Sequence, residues 1–358
     1  MVSLFDQFQN LQDHLPYHEL ATLPTPIKKL SNLGAHLNLN NLYIKEDDKS
    51  GEPYGGNKVR KLEFLIGEAL AIGVRAVITF GYAGSNHATA TAVHAKNAGL
   101  QCITALLPQH NAEYLRNNLL MSYAHGAELH HYQTGINLRL NTFFNLLKYR
   151  IKNNHLPYWI PPGGSSPTGI IGFVNAAFEL KEQIDQGLIN EPDLLYVASG
   201  SLGTSVGLTL GFSVLNLKTK VVAIRVIDSS FVNRKRFEAY YKATEKLLRK
   251  YAPSFPRTDF RQANFEIRDE FYGGEYALPT ENSIAALNLM KEKENIILDP
   301  TYSAKALGAL ISDNENGHDK EKTILFWNTY NSQELSPFTS QISYHSLPRS
   351  LHPYFEKE

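Results

Sequence analysis

Two hydrophobic periods alternate along most of this chain, and that alternation limits its fold more than any other feature. Short β-branched apolar runs read as strands: Ala76–Phe80 (AVITF), Cys102–Leu107, Glu128–Tyr132, Tyr158–Ile160, Asp193–Ala198, Lys220–Ile227 and Thr323–Trp327. Runs that are apolar throughout suit strands covered on both faces, as in parallel sheets. Helical stretches lie between them: Val59–Ile72, Ala88–Ala98, Glu113–His125, Asn137–Lys152, Thr168 to about Gln186, Ser205–Phe212, Phe231–Tyr251, Glu281–Lys293 and Ala304–Ser312. Parallel strands joined by helices cross over with a right hand, which predicts an α/β protein with parallel sheets. Pro161-Pro162-Gly163-Gly164-Ser165-Ser166-Pro167 is the clearest break and a predicted domain crossover. Residues 1–40 contain Pro16, Pro24 and Pro26 and are expected to lie extended over a surface. Leu42–Asp47 is a short strand, and Ala252–Phe265 is expected to be irregular.

Composition narrows the function. The 358 residues are 43% hydrophobic and 20% charged, which allows a substantial core and argues against disorder. The formal net charge is zero, so nothing calls for nucleic acid or an anionic membrane. No apolar run is long enough to span a bilayer. Cys102 is the single cysteine, which suits a reducing compartment. Met1-Val-Ser-Leu-Phe-Asp lacks a basic region followed by an apolar core, so no signal peptide is expected and a cytoplasmic location is.

The most unusual local stretch is Gly55-Gly-Asn-Lys-Val-Arg-Lys-Leu-Glu63. A glycine pair brings Lys58 to the start of an amphipathic helix, where the macrodipole disfavours a cation. A lysine held there has its neutral amine favoured, which imine chemistry needs. A nucleotide phosphate loop does not fit, because Asn57 precedes the lysine and Val59 stands where a metal-binding hydroxyl belongs. Three polar loops follow strands, where ligands of parallel sheets gather. Gly81–His87 offers Ser85, Asn86 and His87 before a helix. Ser199–Thr204 sets two glycines and three hydroxyls at a helix N-terminus, a site for an anion such as a phosphate monoester. Thr329 ends the last strand. Metal chelation reads poorly: His87 and His94 are two turns apart, roughly 10 Å, and His130 and His131 point to opposite faces of a strand. A serine-hydrolase elbow is absent. An activated lysine, a phosphate site and a polar loop together suit pyridoxal phosphate.

These motifs resemble the 1-aminocyclopropane-1-carboxylate deaminase / D-cysteine desulfhydrase family of fold-type II pyridoxal-phosphate enzymes. The matches run along nearly the whole chain: Ile44-Lys-Glu-Asp-Asp, Gly55 to Glu63, Ser85-Asn-His, Pro162-Gly-Gly-Ser-Ser, Ser199 to Thr204, Tyr276-Ala-Leu-Pro-Thr and Leu298-Asp-Pro-Thr-Tyr-Ser-Ala-Lys-Ala. The resemblance implies a two-domain fold-type II (tryptophan synthase β-like) architecture with twisted, parallel-rich sheets. Residues 1–58 and 165–358 would form the large cofactor-binding domain, and 59–164 a small α/β domain. It also implies a homodimer acting on a small amino acid.

The resemblance assigns roles too. Lys58 would be the Schiff-base lysine, with Lys61 facing the phosphate. Gly200, Ser201, Leu202, Gly203 and Thr204 would bind that phosphate. Asn86 would hydrogen-bond the pyridoxal 3′-oxygen, and Tyr302 would stack on the ring. Ser85 would contact the substrate carboxylate or act near its Cα. His87 would join Ser85 and Asn86 in the substrate site, and Tyr276 would line it as a candidate acid or base. Deaminases of the family carry a glutamate after the stacking tyrosine, where this chain has Ser303. Desulfhydrases use a threonine of an H-T-G-G motif, matched here by Thr329 in Asn328-Thr329-Tyr330-Asn331. A hydroxyl partner suits β-elimination, which needs a weaker electron sink. D-cysteine desulfhydrase-like elimination is therefore expected. Ring opening of 1-aminocyclopropane-1-carboxylate and cofactor binding without turnover are the alternatives. Ala304 replaces a glycine of the family pattern, and Tyr330 and Asn331 replace two more with side chains able to fill part of the pocket.

Overall fold

In the computed structural model, which describes residues 2–314 and 319–356, ten strands form two sheets. They are β1 (Ile27–Lys29), β2 (Asn41–Glu46), β3 (Ala76–Tyr82), β4 (Gln101–Leu107), β5 (Glu128–His131), β6 (Tyr158–Ile160), β7 (Leu194–Ser199), β8 (Lys220–Arg225), β9 (Phe265–Arg268) and β10 (Thr323–Asn328). The six-stranded sheet has the order β1-β2-β10-β7-β8-β9, and the four-stranded sheet β5-β4-β3-β6. The first and last segments of the chain meet there, with Thr323 to Asn328 in register with Asn41 to Glu46. β1 pairs antiparallel with β2, and the other pairings among the described residues are parallel. The sequence implies this: Leu325, Phe326 and Trp327 of β10 are all fully buried, so the strand has apolar cover on both faces.

Parallel strands present their carboxyl ends together. The turn to Lys58 follows β2, Ser85 and Asn86 follow β3, Gly200 follows β7, and Thr329 follows β10. Three helices bind this arrangement together. Lys58–Ala71 packs on Pro167–Asp185, which packs in turn on Gly203–Leu215.

A buried charge cluster anchors the Lys58–Ala71 helix. The Arg60 guanidinium donates to Asp47 at 2.8–3.1 Å, to both Glu179 oxygens at 2.8 and 2.9 Å, and to Thr25 Oγ1 at 2.9 Å. Lys45 Nζ reaches Glu179 and Gln183, and Trp327 Nε1 donates to Asp47. Two cations face two carboxylates, all shielded from solvent.

Two stretches differ from the sequence expectation. Residues 1–40 are not simply extended: helices Ser3–Gln7, Asn10–His14 and Ser31–Leu37 and strand β1 form there. Leu4, Phe5 and Leu11 are buried against the Pro167–Asp185 helix and its neighbours. Helices of five residues are too short to show a period and depend on that packing. β9 forms at the end of the stretch expected to be irregular. Its four residues alternate Phe-Glu-Ile-Arg, an edge-strand pattern too brief to stand out.

Candidate active site

The site is built outward from Lys58. Gly56 turns the chain at a φ of 93°, and a Cβ there would lie 3.0 Å from the Tyr330 carbonyl oxygen. Only glycine allows that turn beside the exit of β10. Asn57 then ties the helix start to two other elements. Its amide N donates to the Thr329 carbonyl at 3.2 Å, and its side chain donates to Thr204 Oγ1 at 2.9 Å. Burial lowers the Lys58 amine from 10.5 to about 8, and the Asp299 charge opposes that shift.

Lys61 lies one turn further on and is buried. Its Nζ donates to the Gly163 carbonyl at 3.0 Å and to Ser165 Oγ at 3.2 Å. Ser165 Oγ also accepts from Gly203 N at 3.2 Å and shares a hydrogen bond with Ser201 Oγ at 2.8 Å. A Cβ at Gly203 would sit 2.6 Å from the Lys61 ammonium, so the lysine lies directly over the N-terminus of the Gly203–Leu215 helix. Burial, with the Lys58 charge second, pushes the Lys61 pKa well below its ordinary value. Among the described residues Lys61 forms no ion pair. A buried lysine at the positive end of a helix, with no carboxylate to favour its charged form, is an environment an anion would relieve. Leu202, just before the helix, has a φ of 68°. Left-handed backbone costs a leucine about 1–2 kcal/mol, and it turns successive amides toward one point. The cradle therefore fits a phosphate.

Asn86 Oδ1 accepts from the Tyr54 hydroxyl at 3.1 Å and from Asn118 Nδ2 at 2.8 Å. That pairing fixes the amide and leaves its NH2 as the edge a ligand can use. Lys58, Asn86, Gly200, Ser201, Leu202, Gly203, Thr204, Tyr302 and Thr329 line one slot, together with Asn57 and Asp299. The Tyr302 ring lies against Gly200. Thr329 is a largely buried residue lining the slot, and its hydroxyl makes no hydrogen bond among the described residues. Asp299 caps the Ser303–Asn314 helix, accepting from the amides of Thr301, Tyr302 and Ser303 and from Ser303 Oγ. Ser303 is thus occupied and lies outside the slot.

A cavity of about 700 Å3 opens from the slot; Lys58, Gly200, Ser201 and Tyr302 line both. Ser85, His87 and Tyr276 line the cavity. Ser85 caps the Asn86–Asn97 helix by accepting from Ala88 N. His87 meets Thr79 Oγ1 at 3.1 Å, and burial, then the Lys58 and Lys61 charges, holds its pKa well below normal. The Tyr276 hydroxyl pairs with that of Tyr302 at 2.7 Å, and its ring stacks on Tyr82. Burial, with Tyr302 next, raises the Tyr276 phenol well above 10. Tyr330 and Asn331 do not enter this cavity. They line a separate cleft with Glu113 and Tyr114.

Sequence reading missed Ser165, Asn57, Asp299, Tyr54 and Asn118 as contributors. Ser165 and Asp299 stood in recognised strings without a role. Tyr54 and Asn118 carried no signal, because their contact with Asn86 joins segments far apart in sequence.

Residues 18–329 match the family model described as pyridoxal-phosphate dependent enzyme. A D-cysteine desulfhydrase of Serratia proteamaculans is 34% identical over 315 residues, covering 84% of this chain and 90% of the relative. A Pyrococcus horikoshii protein provisionally named a 1-aminocyclopropane-1-carboxylate deaminase is 35% identical over 318 residues, covering 88% and 91%. The crystal structure of an ACC deaminase homologue superposes with a TM-score of 0.79 at 32% identity, covering 93% of this chain and 96% of that one.

Proposed function

The chain belongs to the pyridoxal-phosphate-dependent enzyme family, and on that premise we propose that it catalyses α,β-elimination of a D-cysteine-like amino acid to pyruvate, ammonia and sulfide. The observation that carries this reading is the unpartnered Thr329 hydroxyl in the slot, with Ser303 tied to Asp299. A hydroxyl partner for the cofactor's ring would give a weaker electron sink than an acid, and a departing thiolate would need no more.

Bound in the slot, pyridoxal phosphate supplies the sink for the charge left when a Cα proton departs. The chain's residues do the rest. Lys61 and the amides around Gly203 would hold the phosphate, and the Asn86 NH2 would offer a donor to the ring oxygen. Tyr302 walls the slot. The Lys58 amine, at about 8, is neutral often enough near neutral pH to take the Cα proton. Ser85, at a helix N-terminus, receives the substrate carboxylate. The Tyr276 phenol stays protonated and can donate a hydrogen bond to the leaving sulfur.

Ring opening of 1-aminocyclopropane-1-carboxylate is the second reading, favoured by the Asp299 carboxylate in the slot. The test is an absorbance spectrum of the cofactor-loaded protein with each compound. Pyruvate and sulfide from D-cysteine are the expected products. Turnover of the cyclopropane acid alone, giving 2-oxobutanoate, would overturn the elimination reading. A cytoplasmic homodimer, with residues 1–58 and 165–358 as one domain and 59–164 as the other, belongs to the same proposal.

A further inference from the structure

The cavity beside Lys58 is far larger than D-cysteine requires. Its volume of about 700 Å3 falls in the ~300–1,000 Å3 range of pockets for drug-sized ligands. Ser85, His87 and Tyr276 line the cavity together with Lys58. Phe80, Leu107, Leu138, Phe143, Leu146 and Trp159 line it too, and they make its exposed wall mostly apolar, although Arg139, Thr142, Arg236 and Tyr240 also reach it. Leu138 and Leu146 of the Gly135–Asn153 helix pack together beside Phe80, whose ring centroid lies 4.1 Å from that of Trp159. Trp159 is 51% and Phe143 57% exposed. A passage for a small zwitterion gains nothing from such walls. Apolar surface left open to water is a cost that an apolar ligand removes.

We infer that the preferred substrates carry a bulky apolar β-substituent: S-aryl or S-alkyl derivatives of cysteine. This rests on the elimination reading above. The Cα–H bond breaks, its proton passing to Lys58, and the Cβ–S bond breaks, the sulfur keeping the electron pair. The thiolate gains a proton and leaves as a free apolar thiol. One water is consumed, and pyruvate and ammonium complete the balance. The reacting end is that of D-cysteine, and the cavity reads the sulfur substituent.

The test compares S-benzyl-D-cysteine with D-cysteine on the cofactor-loaded protein, following pyruvate and released thiol. The expected result is a kcat/KM at least about tenfold higher for the benzyl compound, within what apolar pocket contacts supply. In Leu138→Phe, which fills the cavity, and Leu138→Arg, which charges it, the ratio of the two kcat/KM values should fall about tenfold. A binding readout stands apart from turnover. S-benzyl-D-cysteine should change the Trp159 fluorescence saturably, and Leu138→Arg should abolish that change. If D-cysteine is eliminated as fast as the benzyl compound or faster, or the fluorescence does not saturate, this inference fails and the elimination reading stands. If neither compound is eliminated, both fail together.

Discussion

Two residues carry separate tests of the site. Burial sets the Lys58 amine at about 8 rather than 10.5, so its neutral form grows through pH 8, where it is half, and levels off about one to two units above. The rate at which cofactor-free protein captures pyridoxal phosphate should follow that curve, with a midpoint near 8. Lys58→Arg should show no lysine-bound absorbance band at any pH, because a guanidinium stays protonated. A band retained in Lys58→Arg would mean another lysine does the work. Thr329 carries the second test. Thr329→Val keeps the slot's shape and removes its free hydroxyl. A hydrogen bond to a charged group contributes about 1.5–3 kcal/mol, so kcat should fall roughly 10- to 100-fold with cofactor still bound. An unchanged kcat would remove Thr329 from the mechanism.

At the scale of elements, the Lys58–Ala71 and Gly203–Leu215 helices do different jobs. Arg60 holds the helix to β2, β10 and the Pro167–Asp185 helix through Asp47 and Glu179. Arg60→Met leaves two buried carboxylates facing Lys45 alone, and removing one partner of a buried pair costs about 3–5 kcal/mol. Urea unfolding would read that loss. Burial favours a protonated Glu179, but the Arg60 and Lys45 charges outweigh it and lower its pKa from 4.5 to about 2. A carboxyl lowered on folding stabilises the fold above its unfolded value. That contribution should be complete above about pH 4.5 and disappear as pH falls toward 2. The helix Gly203–Leu215 serves binding instead. A Cβ at Gly203 would crowd Ser165 Oγ at 2.5 Å and Lys61 Nζ at 2.6 Å. Gly203→Ala should displace Lys61 and weaken cofactor affinity about tenfold, near 1.4 kcal/mol, with little change in unfolding.

Elements differed in how plainly the sequence marked them. β3, β7 and β10 are legible because burial on both faces writes a continuous apolar run. Ser3–Gln7, Asn10–His14 and β9 are not, because four or five residues hold too little of a period. The site divides the same way. Lys58, Asn86 and Ser199–Thr204 sit where local rules about helix starts and strand ends point. Ser165 does not: it matters because the loop after β6 crosses over the loop after β7, and that meeting exists only in three dimensions. The reach of Tyr330 was misjudged for the same reason. A residue's place in a motif gives its neighbours along the chain, while the side of the strand exit it faces depends on packing.

For the molecule as a whole, the slot proposed to hold the cofactor is assembled from segments attached to both sheets. Asn86 follows β3 of the four-stranded sheet, and Gly200 and Thr329 follow β7 and β10 of the six-stranded one. Lys61 spans from the Lys58–Ala71 helix to Gly163 and Ser165. An occupant of the slot therefore adds contacts across the molecule and relieves the buried charge of Lys61. A ligand bound only by the folded state stabilises it by mass action, about 2.7 kcal/mol at a hundredfold excess over Kd. For a chain of this size that corresponds to a Tm increase of about 2–4 °C. Thermal unfolding of cofactor-free protein with added pyridoxal phosphate measures it. Lys61→Ala should bind the phosphate less well and shrink the increase, while removing a strained buried cation. The cofactor-free variant should therefore melt no lower than the cofactor-free parent. A lower Tm for Lys61→Ala without cofactor would mean that its bonds to Gly163 and Ser165 hold the fold together, and the lysine would lose its role as a charge kept for an anion.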